Sequence, residues 1–167
     1  MIGAVIALVT IVAGCYQPPI ESPVIDPFRE PSCSFCPGNR GLEYEPASGT
    51  PVAAVAPGVV TFSGLVAGVR YLVVDQSDGR TATYGRLATT GVGAGASVRA
   101  GVTLGTTTDR FFFGLRVDGR YIDPAPYLGV VHYRPRLVPV DGTRRRPPPP
   151  PTMRCTAARV GERVGRR

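Results

Sequence analysis

The sequence has no lysine, no tryptophan and a single histidine, His132, and no apolar run long enough to cross a bilayer as a helix. Each absence narrows what the chain can do. Without lysine there is no side chain to which a carrier domain could attach biotin or lipoate, and the 19 basic residues, all arginine, reflect a GC-rich coding bias. With one histidine there is no base to pair with a serine or cysteine nucleophile, so Ser48, Ser63 and Ser77 read as turn residues. The longest apolar stretch, Met1 to Gly14, is well short of the roughly 20 residues a spanning helix needs.

What is abundant is glycine and proline, 21 and 18 in 167 residues, beside an apolar fraction of 43%. That composition interrupts helices, supplies turns and still leaves enough material for one core. The net charge of +7 is a weak sign of nucleic-acid binding once it is located. Eight arginines and only two acids, Asp141 and Glu162, follow residue 140, leaving the rest nearly neutral. No basic patch interleaved with aromatics marks a phosphate-tracking surface, and nucleic acid is excluded as a partner.

Residues 1–14 read as the core of a secretory signal or the truncated end of a longer signal or anchor, since no positive charge precedes them. Val12-Ala13-Gly14-Cys15 has the small residues of a bacterial lipobox, which makes Cys15 a lipidation site in an exported protein of the cell envelope or extracellular space. Membrane contact would then run only through an N-terminal lipid or anchor. The other cysteines, Cys33, Cys36 and Cys155, make an even set with Cys15, as expected of disulfides outside the cytosol. Cys33 with Cys36 and Cys15 with Cys155 is one pairing. Lipidation and a Cys15 disulfide are mutually exclusive, because both use one sulfur. A zinc site at Cys33-x-x-Cys36 lacks a second ligand pair, and a redox role lacks the helix start it requires.

Along the chain, residues 15–37 hold six prolines and form an extended leader without regular structure. Residues 38–129 form the domain, 130–140 a C-terminal extension, and 141–167 an Arg/Pro-rich disordered tail. Within the domain, period-two alternation and glycine turns predict strands at 52–56, 59–63, 70–75, 81–85, 103–105, 111–117 and 120–122. Ser77-Asp78-Gly79 and Asp118-Gly119 mark two hairpin turns. The alternation in 111–117 places Phe111, Phe113, Leu115 and Val117 on a core face, and Arg110, Phe112, Gly114 and Arg116 on the other. The fold class is all-β, a single antiparallel sheet or sandwich-type core.

Several segments recur in a fixed order: Asn39-Arg40-Gly41-Leu42-Glu43-Tyr44, Gly49-Thr50-Pro51-Val52-Ala53-Ala54 with Gly58-Val59-Val60, Asp78-Gly79 before Thr83-Tyr84-Gly85-Arg86-Leu87, Gly95 to Gly101 with Leu104-Gly105, and Phe113-Gly114-Leu115-Arg116 with Asp123-Pro124. This series resembles the lysostaphin/LytM-type zinc peptidases, which cut peptidoglycan cross-bridges. In active members the first motif reads His-x-Gly-x-Asp, and its His and Asp bind zinc with the second His of a His-x-His strand. The resemblance puts Asn39 and Glu43 at the first two ligand positions, Arg110 and Phe112 at the His-x-His pair, whose first His assists catalysis, and Arg86 at a further family His that precedes a Leu. Only Glu43 can ligate zinc there, so the resemblance implies a groove lined by these five residues, with no catalytic residue, no metal ligand set and no cofactor.

A charge pair between Glu43 and either Arg86 or Arg110 would fill the vacated site, or the two arginines would bind anions such as peptidoglycan carboxylates. The chain reads as a non-catalytic LytM-like module that binds peptidoglycan or regulates a cell-wall hydrolase. The alternatives are an active peptidoglycan metalloendopeptidase with atypical ligands, and a structural or adhesive protein acting through its tail or anchor. For Cys15, mass spectrometry of the mature N-terminus decides: a lipidated chain carries the lipid mass on this residue, and a disulfide-bonded one is lighter by two hydrogen atoms per bond and has no reactive thiol there.

Overall fold

A computed structural model describes residues 10–11, 15–33, 35–132 and 152–156. The expected signal segment, the body of the tail with its five prolines, and residues 133–140 of the extension lie outside these residues, apart from a two-residue strand at Thr10–Ile11. Among the described residues the one helical element is a 3-10 turn, Ala125–Tyr127, and no helix is long and apolar enough to cross a membrane.

The strands are β1 (Thr10–Ile11), β2 (Val24–Asp26), β3 (Leu42–Tyr44), β4 (Pro51–Ala53), β5 (Gly58–Val66), β6 (Val69–Gln76), β7 (Arg80–Thr90), β8 (Ser97–Val98), β9 (Thr103–Val117), β10 (Arg120–Ile122), β11 (Val130–His132) and β12 (Thr152–Arg154). Nine of them form one antiparallel sheet in the order β2-β3-β9-β7-β6-β5-β8, with β4 and β10 also paired to β9. The all-β expectation therefore holds. The two stretches expected at 103–105 and 111–117 are one 15-residue strand, β9, and this strand organises the sheet. Its first half pairs with β4 and the end of β7, and its second half with β3, β10 and the start of β7.

The core lies on one face. Phe111, Phe113 and Leu115 are fully buried, as the alternation requires, and Leu72, Val74, Ala82, Tyr84 and Leu104 join them from neighbouring strands. Val117, expected with them, is half-buried, because it ends the strand at the Asp118-Gly119 turn. Tyr44 packs on Phe111 with ring centroids 5.6 Å apart, and Tyr84 on Phe113 at 5.3 Å. The Tyr84 hydroxyl is the one polar tip carried into this core from β7. It accepts the Val55 N–H at 3.0 Å, and burial raises its pKa well above the ordinary phenol value.

The leader departs from its expected lack of regular structure. Val24–Asp26 pairs with β3, Arg29 and Asn39 exchange two backbone hydrogen bonds, and Tyr16 and Ile20 enter the core. Proline explains how both readings coexist: it removes N–H donors at six positions but leaves the intervening ones free to pair. The Tyr16 backbone bonds Tyr127 and Gly129, while its hydroxyl donates to Asp78, which also accepts from Arg80 at 2.6 Å. Arg80 in turn lies over the ring of Tyr127 at 4.7 Å. Cys15 is disulfide-bonded to Cys155, and Cys33 to Cys36, so in this structure the Cys15 sulfur is not available for lipidation. Within the tail, Thr152–Arg154 forms β12 between β1 and β11, bringing Cys155 to the leader.

Two measurements check this account. Tyr84→Phe keeps the ring and strands the buried Val55 N–H, so it lowers stability to urea by about 1–3 kcal/mol. Burial alone would raise the pKa of Asp78, but hydrogen bonds from Tyr16 and Arg80 outweigh it and hold the carboxyl below its usual value. A depressed carboxyl contributes its stabilisation above its unfolded pKa, about 3.9, and loses it as pH falls through the lower folded value. Unfolding midpoints should therefore drop on acidification below about pH 4, and the drop should be smaller in Asp78→Asn.

Candidate functional site

β3, β7 and β9 meet on the face of the sheet opposite the core. Glu43 on β3 stands directly across from Phe112 on β9, and Phe112 directly across from Gly85 on β7. Just beyond this row the regular pairing breaks. Gly85 pairs with Phe112 but Leu87 pairs with Thr107, so residues 108–110 are extra and bulge out of β9. Arg86 sits opposite the bulge with φ of 60°, a left-handed conformation uncommon for a residue with a β-carbon. The Thr108 hydroxyl holds the bulge: it accepts the Arg110 N–H at 3.2 Å and lies within hydrogen-bonding distance of the Arg86 and Arg110 carbonyls.

This geometry sends the Arg86 side chain to Glu43. Arg86 Nη1 donates to Glu43 Oε2 and Nη2 to Oε1, each at 3.2 Å, a two-point ion pair whose acid is four-fifths buried and whose base is 38% exposed. Of the two partners open in the sequence, the structure selects Arg86. Arg110 lies on the bulge, exposed, and among the described residues its guanidinium has no carboxylate partner.

Phe112 is half-buried. Its ring lies where a β-carbon on Gly41 would fall 2.7 Å away, and one on Gly114 3.0 Å away. Asn39 corrects the expectation that all five positions line the groove. It is buried, its amide nitrogen donates to the carbonyls of Asp26 and Pro27 at 3.1 Å, and its oxygen accepts the Gly41 N–H at 3.3 Å. It fastens the leader to the start of β3 and faces away from any ligand.

These residues do not fit a zinc ion. Glu43 is bound to a cation, the Asn39 amide is fully used, and Phe112 has no donor atom. Near a guanidinium about 4 Å away a dication meets roughly 8 kcal/mol of repulsion at an effective dielectric of 20, which cancels what one carboxylate at the same distance supplies. Among the described residues, no three His, Cys, Asp or Glu side chains form a metal-holding group. His132 is exposed on β11, outside this site, and Cys33, Cys36 and Cys155 are likewise elsewhere, in their disulfides.

Sequence reasoning missed two contributors. Tyr71 on β6 leans across Gly85, with a ring carbon 2.6 Å from where a β-carbon on that glycine would be. Phe62, on β5, continues the same face. Neither follows from local pattern, because each depends on which residue lies across the strand.

The fold has counterparts among solved structures. Csd3 of Helicobacter pylori superposes with a TM-score of 0.60 at 20% identity over 68% of this chain and 34% of its own. The chain thus spans about a third of that relative. The catalytic domain of the antimicrobial peptidase lysostaphin from Staphylococcus simulans gives 0.57 at 20% identity, covering 64% of this chain and 91% of its own. SpoIIQ, from its pore-forming complex with SpoIIIAH, gives 0.60 at 16% identity, covering 70% and 92%. At these identities the likeness is one of fold. No curated protein matches the sequence. The pattern of Peptidase family M23 matches residues 37–124, more than half of the sequence and the stretch that holds β3 through β10, and on that ground the chain belongs to Peptidase family M23.

Proposed function

We propose that this chain is a non-catalytic M23 module of the cell envelope, exported and using the family's groove to bind peptidoglycan or to engage a cell-wall hydrolase that it regulates. The observation that carries the reading is the two-point Glu43–Arg86 pair, which commits the one carboxylate at the former ligand positions to a protein cation. A hydrolytic zinc needs three ligands and an open position. The groove instead offers a closed ion pair, an aromatic ring and, on the bulge, an exposed arginine suited to a carboxylate. Relatives of this fold include a wall-active peptidase by resemblance, lysostaphin, and a protein assembled with a partner, SpoIIQ. Both kinds of use are compatible with a groove that no longer cuts. Attachment to the membrane, where there is any, runs through the N-terminal segment, and residues 38–129 are the unit that binds.

Purified protein should contain far less than one zinc per chain and leave cross-bridge peptides intact; stoichiometric zinc with turnover would establish the atypical peptidase instead. On isolated sacculi the protein should be retained. Arg110→Ala should weaken retention, since its free guanidinium is the exposed cation. Arg86→Ala should cost at most about 1 kcal/mol of stability, because the pair is partly solvated. Retention that is absent would redirect the search to a protein partner.

A further inference from the structure

The register of the sheet produces a feature that loss of the metal does not explain. Glu43, Phe112, Gly85, Tyr71 and Gly64 are directly opposed in turn across β3, β9, β7, β6 and β5, so they form one row on the site face. Aromatic residues and glycines alternate along it. The rings lie over the glycines: Phe112 over Gly41 and Gly114, Tyr71 over Gly85, and Phe62 over Gly64, with closest ring-carbon approaches to the absent β-carbons of 2.7, 3.0, 2.6 and 3.2 Å. A Phe112 ring carbon also comes 3.3 Å from where a β-carbon on Gly85 would be, so Tyr71 and Phe112 both border that glycine.

A side chain on any of these glycines would push the rings upright. Glycine leaves room for them to lie across the backbone. The result is a strip from Glu43 on β3 to Gly64 on β5, four strand spacings or about 19 Å long. Phe62 is 38% exposed, and Tyr71 and Phe112 are half-buried. Beyond Glu43 the row carries no formal charge, and among the described residues the Tyr71 hydroxyl and the nearby Thr83 hydroxyl have no hydrogen-bond partner. Arg110, on the bulge beside this end of the strip, is exposed and has no carboxylate partner among the described residues.

We propose that this strip is a saccharide-binding platform on which the glycan strand of peptidoglycan lies across the sheet. The inference rests on the peptidoglycan-binding reading and names the part of the polymer that is held, the sugar backbone. Pyranose rings present patches of C–H bonds whose weakly positive hydrogens complement the negative face of an aromatic ring. Their hydroxyl groups stay in water or reach Tyr71 and Thr83, and a carboxylate on the strand reaches Arg110. A stem or cross-bridge peptide fits less well, because its charges would be desolvated over the aromatic row, which beyond Glu43 carries none; the next charges on this face, Asp75 and Arg116, stand further along β6 and β9. The complementarity is of charge: an aromatic row that is uncharged beyond Glu43, and a largely neutral polymer with spaced carboxylates.

The test titrates the full chain with a β-1,4-linked N-acetylglucosamine hexamer, and separately with a stem peptide, by NMR. The hexamer should bind, with its C–H resonances shifted upfield by the ring currents. Tyr71→Leu and Phe62→Leu keep apolar bulk but remove a flat face, and each should weaken binding about three- to tenfold, whereas Tyr71→Phe should stay within about twofold. Because these side chains lie outside the core, folding is checked by the unchanged resonances of Tyr84 and Phe113. Sacculus retention is measured in parallel. Retention that survives the leucine substitutions, with no response to the hexamer, overturns the platform and leaves wall binding standing. Competition by the stem peptide and not the hexamer likewise overturns it, in favour of a peptide site. Loss of hexamer binding and of all sacculus retention in the unaltered protein overturns both readings.

Discussion

The register of β7 against β9 is the constraint on which the rest of the molecule depends. These two strands are neighbours near the centre of the sheet, and β3, β4, β6 and β10 each pair with one of them. On the core side their pairing stacks Tyr84 against Phe113 and sets Ala82 beside Leu115. On the opposite side the same pairing sets Gly85 under Phe112, and the three-residue bulge then releases Arg86 from the ladder and turns it toward Glu43. A one-residue slip would exchange the two faces of β9 and bury Arg110 and Arg116 in place of Phe111 and Leu115, so the hydrophobic pattern defends the register strongly.

Much of this was legible in residue order. Alternation in 111–117 placed Phe111, Phe113 and Leu115 in the core, where they are fully buried, and Asp118-Gly119 marked a turn that the positive φ values of both residues confirm. The five candidate positions came through resemblance, and the register brings Glu43, Arg86 and Phe112 together on one face. What could not be read was pairing across strands. Arg86 and Arg110 were equivalent candidates for Glu43 until the bulge separated them, since a bulge is set by the partner strand and leaves no local mark on composition. Asn39 was misplaced for a similar reason. Its side chain is claimed by carbonyls of the leader, a segment whose prolines concealed a strand. Tyr71 and Phe62 were invisible as site residues because their significance lies in the glycines opposite or beside them.

The leader and tail belong to the same argument at larger range. Tyr16 closes over Tyr127 and Asp78 at one edge of the domain, and the Cys15–Cys155 bond joins residues 140 apart in sequence. In the chain-entropy picture a crosslink over so long a loop removes more freedom from the unfolded chain than a short one does, on the order of 4–5 kcal/mol. The tether acts beside the backbone bonds that Tyr16, Gln17 and Pro19 make to the domain, which seat Tyr16 and Ile20 in the core.

The substitutions at the former metal positions are coherent when taken as connections between strands. A zinc ion held by residues on the start of β3, on β3 itself and on β9 would tie those elements together, and metal binding of that kind is also folding energy. Here the ties remain although the donors have gone. Asn39 joins the start of β3 to the leader, Glu43 and Arg86 join β3 to β7, and the Phe112 ring covers Gly41, Gly114 and the edge of Gly85, spanning the same three strands. None of these contacts needs a bound ion, and none can polarise a peptide bond. A groove braced in this way keeps its shape while presenting ring faces in place of a Lewis acid, and for that reason retention of the fold and loss of the ligands are compatible in one chain.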